Sequence, residues 1–402
     1  MTQLSERANQ NEQWSEAARR ERLAALRAAT SVSLRHMAAP FEDPERLQGQ
    51  IENFIGVVGV PVGVAGPLAI RGAVAEGVFN VPLATTEGTL VLAVTKGAEA
   101  ISAAGGARVH ATQPRLTRAP VFAFESHERA LAAAGFVADQ LPAIRAAAEA
   151  TTRHGRLLAI EPLLLGRRLV LELTYATGDA AGQNMVTFAT EAACRWLREH
   201  PVFDEAEFYS LESSASLDKK STTLAPSRPR GRRVNAEVTI ARRDVERVLG
   251  TSPDRMARVA REGVYVCTAV GAVGAQAQFA NVLAALLLAT GQDVATVVEC
   301  STGLTVIETT GAGALYASVT LHGLVVGTVG GGTRLATQHE CLEILGCAGP
   351  DCATKLAEIV GAAVLAGELG LVAALASDRF ASAHAKFGRP AEYTTAPHRG
   401  AQ

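Results

Sequence analysis

The spacing of hydrophobic and polar positions changes several times along this 402-residue chain. Residues 16–34 place apolar side chains at helical spacing within a polar, Arg-rich stretch that runs to about residue 50. They predict an amphipathic arm that packs on the body or on another subunit, with a solvated tail as the alternative. Residues 57–68 hold Pro61, Gly63, Gly66 and Pro67, which predicts turn and loop. Helical spacing returns over 88–104 and puts Glu87 at its N-terminal end. A helix start favours a carboxylate there, whereas burial would oppose its charge. Residues 121–124 read as strand, 127–134 and 141–150 as helices, 157–165 and 168–173 as strands, and 185–200 as helix. That alternation predicts a small sheet layered with helices. Residues 211–223 are small, polar and charged, and read as a loop. A strand over 234–242 and a short helix over 243–249 follow. Residues 265–288 and 353–376 are apolar and helical, and are expected inside the main domain.

Composition narrows the classes of function. A net charge of -2 gives no electrostatic case for nucleic acid, and 5% aromatic residues disfavour base-stacking platforms. The longest apolar run, about 279–290, falls short of the roughly 20 residues of a membrane helix, and no signal-peptide pattern opens the chain. A soluble cytoplasmic protein without membrane contact is expected. Cys194, Cys267, Cys300, Cys341, Cys347 and Cys352 form no C-x-x-C pair, so buried free thiols and no metal site are expected, with a zinc site as the alternative.

Four polar side chains stand in distinctive settings: Glu87 in Ala84-Thr85-Thr86-Glu87-Gly88, Lys219 in Asp218-Lys219-Lys220, Asp293 in Gly291-Gln292-Asp293, and His384 close to the C-terminus. Two carboxylates, an amine and an imidazole suffice to hold an oxyanion, supply protons and protonate a departing thiolate. Gly178-Asp179-Ala180-Ala181-Gly182-Gln183-Asn184-Met185 precedes a helix and suits a phosphate at the helix start, or is simply a turn; it is not the G-x-G-x-x-G fingerprint. Gly327-Thr328-Val329-Gly330-Gly331-Gly332-Thr333 lacks the ending of a P-loop, and is either a tight turn or the lining of a channel for a cofactor arm.

Taken together, these motifs resemble 3-hydroxy-3-methylglutaryl-CoA reductase. Further residues that carry the resemblance are Glu52-Asn53-Phe54-Ile55-Gly56, Pro61-Val62-Gly63-Val64-Ala65-Gly66-Pro67 and Ala280-Asn281-Val282, in order over about 50–392, and the pattern is closest to the eukaryotic and archaeal class. The resemblance implies an α+β fold: a large helix-rich substrate domain (53–118 and 222–392), an inserted small ferredoxin-like α/β cofactor domain (119–210), a catalytic loop (211–221), an N-terminal helical arm (1–52) and a tail (393–402). It implies reduction of a CoA thioester to a primary alcohol with two NADPH, giving mevalonate and CoA. Lys219 would hold the oxyanion, Glu87 would donate a proton, Asp293 would tune both, His384 would protonate the CoA thiolate, and Asn281 would orient Lys219 or the substrate. Thr152, Arg153, Asp179, Ala180, Gly182, Asn184, Met185, Gly330 and Gly331 would bind NADPH. Arg118, Glu212, Asp218, Lys220, Arg261 and Asn281 would bind the acyl substrate. A homodimer or dimer of dimers with active sites at the subunit interface is also implied.

The chain departs from the family around the acyl group. Where the family reads Ser-Gly-Asn-x-Cys-x-Asp-Lys-Lys-Pro, residues 212–221 read Glu212-Ser213-Ser214-Ala215-Ser216-Leu217-Asp218-Lys219-Lys220-Ser221. Glu212 falls where a serine would meet a substrate carboxylate, and two acids there repel unless a cation intervenes. Lys96 and Glu99 replace arginines, Gln278 replaces a histidine, and Arg261 stands for a lysine. A reductase for a different acyl-CoA or carrier-bound thioester, and an inactive CoA- or NADPH-binding homologue, are the alternatives.

Overall fold

In this computed structural model the described residues are 14–39, 41 and 44–387. The predicted tail, the first 13 residues of the arm and residues 388–392 lie outside them. Helix α1 (Glu16–Thr30) is capped by Ser15, whose side chain accepts from the Ala18 N–H. It docks on the body through buried Arg19, which donates to the Met37 and Ile55 carbonyls.

Strands β1 (Val62–Gly72) and β2 (Glu76–Ala84) pair antiparallel and lead to helix α2 (Leu90–Ala103) and strand β3 (Ala107–Ala111). The loop expected over 57–68 therefore gives way to strand from Val62. The register slips between Ala65 and Leu68, where Gly66 and Pro67 sit, so a bulge takes up the residue that cannot donate to the ladder.

The chain then builds a second, antiparallel sheet from β4 (Leu116–Arg118), β5 (Val121–Ala123), helices α3 (His127–Asp139) and α4 (Leu141–Glu149), β6 (Arg156–Leu165), β7 (Arg168–Ala176), α5 (Gln183–Arg198), the single turn α6 (Pro201–Asp204) and β8 (Phe208–Ser210). From β5 to β8 the order is βαββαβ, and the strands lie β8-β5-β7-β6, all pairs antiparallel: the ferredoxin-like arrangement.

After the 211–223 loop, β9 (Arg232–Ile240) returns to the first sheet. There follow α7 (Arg242–Asp244) with a π turn over Val245–Leu249, α8 (Pro253–Ala269), α9 (Phe279–Ala289), a 3-10 turn (Val294–Thr296), α10 (Val297–Cys300), β10 (Gly303–Thr309), β11 (Leu315–Leu324), α11 (Ala336–Ile344), α12 (Ala353–Ala376) and α13 (Phe380–Phe387). The first sheet is ordered β10-β11-β9-β3-β1-β2, so the small sheet is inserted in sequence between β3 and β9.

The single apolar helix expected over 265–288 is two helices. Gly271 and Gly274 take positive φ of 71° and 91° between α8 and α9, a conformation that ends a helix. Nor is α8 interior: it buries only Pro253 and Met256 and exposes Tyr265 and Val266. Helix α12 is long and apolar enough to cross a membrane by length and composition, yet 83% of its apolar window is buried within the fold. It carries Glu358, which accepts from the Ala73, Val74 and Ala75 N–H groups, and Glu368, which accepts from Ala277 and Gln278 and from the Thr305 hydroxyl. Bonds of this kind identify the central helix of a folded core. The six cysteines are free, and burial pushes Cys194, Cys300 and Cys347 up to about 12.

Candidate active site

The loop between β8 and β9 holds three non-glycine residues at positive φ: Ser214 (66°), Leu217 (62°) and Lys219 (55°). Each costs on the order of 1–3 kcal/mol, so the surroundings must hold them. Several bonds do so. Glu212 Oε1 accepts from the Ser213 and Ser214 N–H groups and from Ser216 Oγ, and Thr117 donates to the Ser216 carbonyl at 2.7 Å.

A chain of charges then runs inward. Arg118 Nη1 lies 3.1 Å from Asp218 Oδ2 and 3.7 Å from Glu212 Oε2. Arg230 lies 3.1 Å from Asp218 Oδ1, donates to Gln183 Oε1 at 2.8 Å, and meets both Glu299 oxygens at 2.6 and 2.7 Å. Glu299 Oε1 in turn accepts the Lys219 backbone N–H at 3.2 Å. Burial works against ionising Asp218, but Arg230 and Arg118 outweigh it and hold its carboxyl below the ordinary value. Burial pushes the Glu299 carboxyl up while Arg230 pulls it back, with a net upward shift.

The Lys219 side chain points the other way, and its Nζ lies 2.8 Å from Asp293 Oδ2. Both side chains are about 40% exposed, so this pair is worth at most about 1 kcal/mol. Arg230 and Glu299 are only 4% and 6% exposed, and breaking such a pair costs about 3–5 kcal/mol. The loop is therefore held by the buried pair, and the exposed one leaves the ammonium available.

Asp293 is tied to the glycine loop. Its neighbour Gln292 brackets Gly327, donating to its carbonyl at 2.9 Å and accepting its N–H at 2.8 Å. Gly327 lies so close to the 179–181 turn that a Cβ would overlap the Ala181 nitrogen. Ala180 bridges to Val329, and Thr328 N–H donates to the Asp179 carbonyl at 2.8 Å. The two glycine-rich motifs are thus one structure. The Asp179 carboxylate is not free for a dinucleotide: it accepts from Asp351 and Ala353 at the start of α12. Gly182 sits at φ 87° before α5, whose first turn has no side-chain cap. Gly330 and Gly331 have positive φ with open space where a Cβ would stand. Met185 and Thr152 both close on Gly155, and Arg153 beside them is exposed.

Glu87 and Asn281 form a second group. Helix α2 begins at Leu90, so Glu87 lies in the preceding turn, short of the helix end expected for it. Its Oε1 accepts from Asn281 Nδ2 at 3.1 Å, so Asn281 is turned to Glu87 and not to Lys219. Both line a cavity of about 470 Å³ together with Leu90, Ala374, Phe380 and His384. His384, on α13, lies tilted against the Phe380 ring, with centroids 4.4 Å apart, and its Nδ1 pairs with the Phe380 carbonyl at 2.9 Å. No hydrogen bond among the described residues joins Glu87 to Lys219 or Asp293. Asn281 stands near the start of α9 and Asp293 beyond its end; residues 281–289 alone rise about 12 Å. The bonds of one chain thus fall into two sets, Lys219 with Asp293 and Glu87 with Asn281, and His384 shares a cavity with the second. Lys220 is exposed and reaches back to the Asp218 carbonyl. Arg261 lies on the exposed face of α8, with no partner among the described residues.

Sequence reasoning missed Arg230, Glu299, Gln183 and Glu368. The available signal was weak: Glu299 and Glu368 are lone acids within apolar helical runs.

An α+β fold with an inserted ferredoxin-like sheet, an ammonium against a carboxylate and a paired glycine-rich cradle accord with the oxidoreductase class that the family match shows. The chain belongs to the hydroxymethylglutaryl-coenzyme A reductase family, which it matches over residues 18–389. It is 43% identical over 365 residues to the 3-hydroxy-3-methylglutaryl-coenzyme A reductase of Methanocaldococcus jannaschii, covering 89% of each chain. It is 44% identical over 376 residues to that of Aeropyrum pernix, covering 90% of this chain and 88% of that one. Among solved structures, the class II reductase of Streptococcus pneumoniae bound to NADPH in open conformations superposes with a TM-score of 0.64 at 19% identity, over 89% of this chain and 86% of that one.

Proposed function

We propose that this protein reduces 3-hydroxy-3-methylglutaryl-CoA to mevalonate and CoA with two NADPH. The observation that carries the reading is the Lys219–Asp293 pair, fixed through Gln292 to the glycine loop. In balance, a thioester, two NADPH and two protons give a primary alcohol, a thiol and two NADP+.

The residues present fit a dinucleotide phosphate. The uncapped start of α5, the open Gly330–Gly331 backbone and the orphaned, buried Thr328 hydroxyl offer donors, and exposed Arg153 offers charge for a 2′-phosphate. Thr152, Ala180, Gly182, Asn184 and Met185 complete that surface, while Asp179 acts as a strut beneath it. NADPH supplies hydride. Lys219 donates to the carbonyl oxygen as charge develops there, and Asp293 holds the ammonium in place. Glu87, oriented by Asn281, donates a proton to the aldehyde-level oxygen, and His384 protonates the departing thiolate. Arg118 and Lys220, with Arg261 from a second copy, face the acyl group. Asp218 and Glu212 set the charge Arg118 presents.

Since no hydrogen bond among the described residues joins Glu87 to Lys219 within one chain, the reading includes a homodimer, or a dimer of dimers, in which two chains complete each site. The apolar face of α8, with Tyr265 and Val266 exposed, supports a partner surface. A cytoplasmic location accords with α12 being core.

Glu212 near Arg118 keeps a second reading in view, an acyl group without a free carboxylate. The test is a panel of acyl-CoA esters with NADPH and with NADH, following absorbance loss and thiol release together. The expected result is coupled signals with the hydroxymethylglutaryl ester, NADPH preferred, and a fall of about 10²–10³ in Lys219→Ala without loss of fold. Turnover only with another ester would move the substrate assignment. Wild-type turnover by Lys219→Ala would end the mechanism.

A further inference from the structure

We infer that Glu299, clamped by Arg230, is a positioning residue that aims the Lys219 ammonium, although it lies behind the loop and touches no reacting group. The inference rests on the reading above for what Lys219 does, and on geometry alone for how Lys219 is held.

Lys219 sits at φ 55°, a conformation that a lysine does not keep unaided. The bond that closes on its own backbone is the N–H to Glu299 Oε1 at 3.2 Å. Glu299 cannot shift, because Arg230 Nη1 holds both of its oxygens and the pair is shut off from solvent. The preceding residue, Asp218, is gripped by the same guanidinium through its other nitrogen. So one buried arginine fixes Asp218 directly and Lys219 through Glu299.

Asp293 and Glu299 also belong to one short stretch. Asp293 caps the Val294–Thr296 turn by accepting the Ala295 N–H, and that turn runs into α10, which ends at Cys300. A single rigid piece of chain thus takes Lys219 by both ends, its backbone through Glu299 and its ammonium through Asp293. Without Glu299 the exposed ion pair is left to hold the lysine, and such a pair fixes little. A displacement of about 1 Å in a catalytic group can cost 10²-fold in rate.

The experiment compares the wild-type protein with Glu299→Gln, and with the double variant Arg230→Met/Glu299→Leu. The double variant removes both buried charges and so avoids the arginine that the single one leaves with Asp218 as its remaining carboxylate, which could unfold it. Two readouts are taken. One is the rate at which acetic anhydride labels each lysine in the full-length protein, read by mass spectrometry, which needs no substrate. The other is kcat and KM with the preferred ester and NADPH.

Expected are at least threefold faster labelling of Lys219, with Lys96 and Lys355 unchanged, and kcat at least tenfold lower while both KM values stay within twofold. The double variant should melt near the wild type and still turn over slowly. A purely structural role would lower Tm and leave kcat per folded site intact. Unchanged Lys219 labelling in both variants overturns the inference, as does a double variant with wild-type kcat. If wild type turns over no ester while the labelling shift is present, the functional reading fails and the clamp stands.

Discussion

Asp218 shows how much one side chain can carry in this loop. It is half-buried between Arg118 and Arg230, and its carboxyl is held below the ordinary value of 3.8. A depressed acid stabilises the fold fully above its unfolded pKa, and that contribution disappears as pH falls through the folded value. Wild type should therefore lose Tm below about pH 4, whereas Asp218→Asn should start lower at neutral pH and show a flatter acid limb. Parallel Tm curves for the two proteins from pH 6 to 2 would contradict the assignment. Glu212 makes a related point. The sequence marks it as a charge beside a substrate acid; the structure gives its Oε1 to the loop's own N–H groups and its Oε2 to Arg118. The residue type was legible, but its partners were not, since they depend on how the loop folds back.

At the scale of elements, long periodic segments were legible and interruptions were not. The reading of 353–376 as one apolar helix coincides with α12, because its apolar character continues around the helix. The strand β1 was hidden by Gly66 and Pro67, which look like loop until a bulge accommodates them. The break between α8 and α9 was hidden because Val270, Ala272 and Val273 keep the stretch largely apolar across Gly271 and Gly274, although part of it faces outward. The packing of α2 on α12 depends on what no pattern of apolar residues reveals. A Cβ on Gly97 would overlap the Ala366 carbonyl, and one on Gly370 the Ala93 carbonyl. Gly97→Ala should thus lower stability by about 1–3 kcal/mol or more despite its better helix propensity. A urea midpoint equal to or above that of wild type would show that these helices can separate freely.

For the whole molecule, the arrangement of polar groups matters more than their number. Helix α9 stands between Glu87 with Asn281 at one end and Asp293 with Lys219 at the other. Sequence motifs name such residues without saying which chain brings them together, and within one copy no hydrogen bond or ion pair among the described residues joins the two groups. A site completed by two copies has a consequence that no single-chain site shares. Glu87→Gln and Lys219→Ala disable different halves. The decisive measurement is turnover of the two variants co-expressed and purified as mixed assemblies. If two chains build each site, each mixed dimer holds one intact site and the purified mixed assemblies recover about half of wild-type activity, from parents that are each nearly inactive. If the mixture stays as inactive as its parents while mass spectrometry confirms mixed dimers, the two-chain site is wrong.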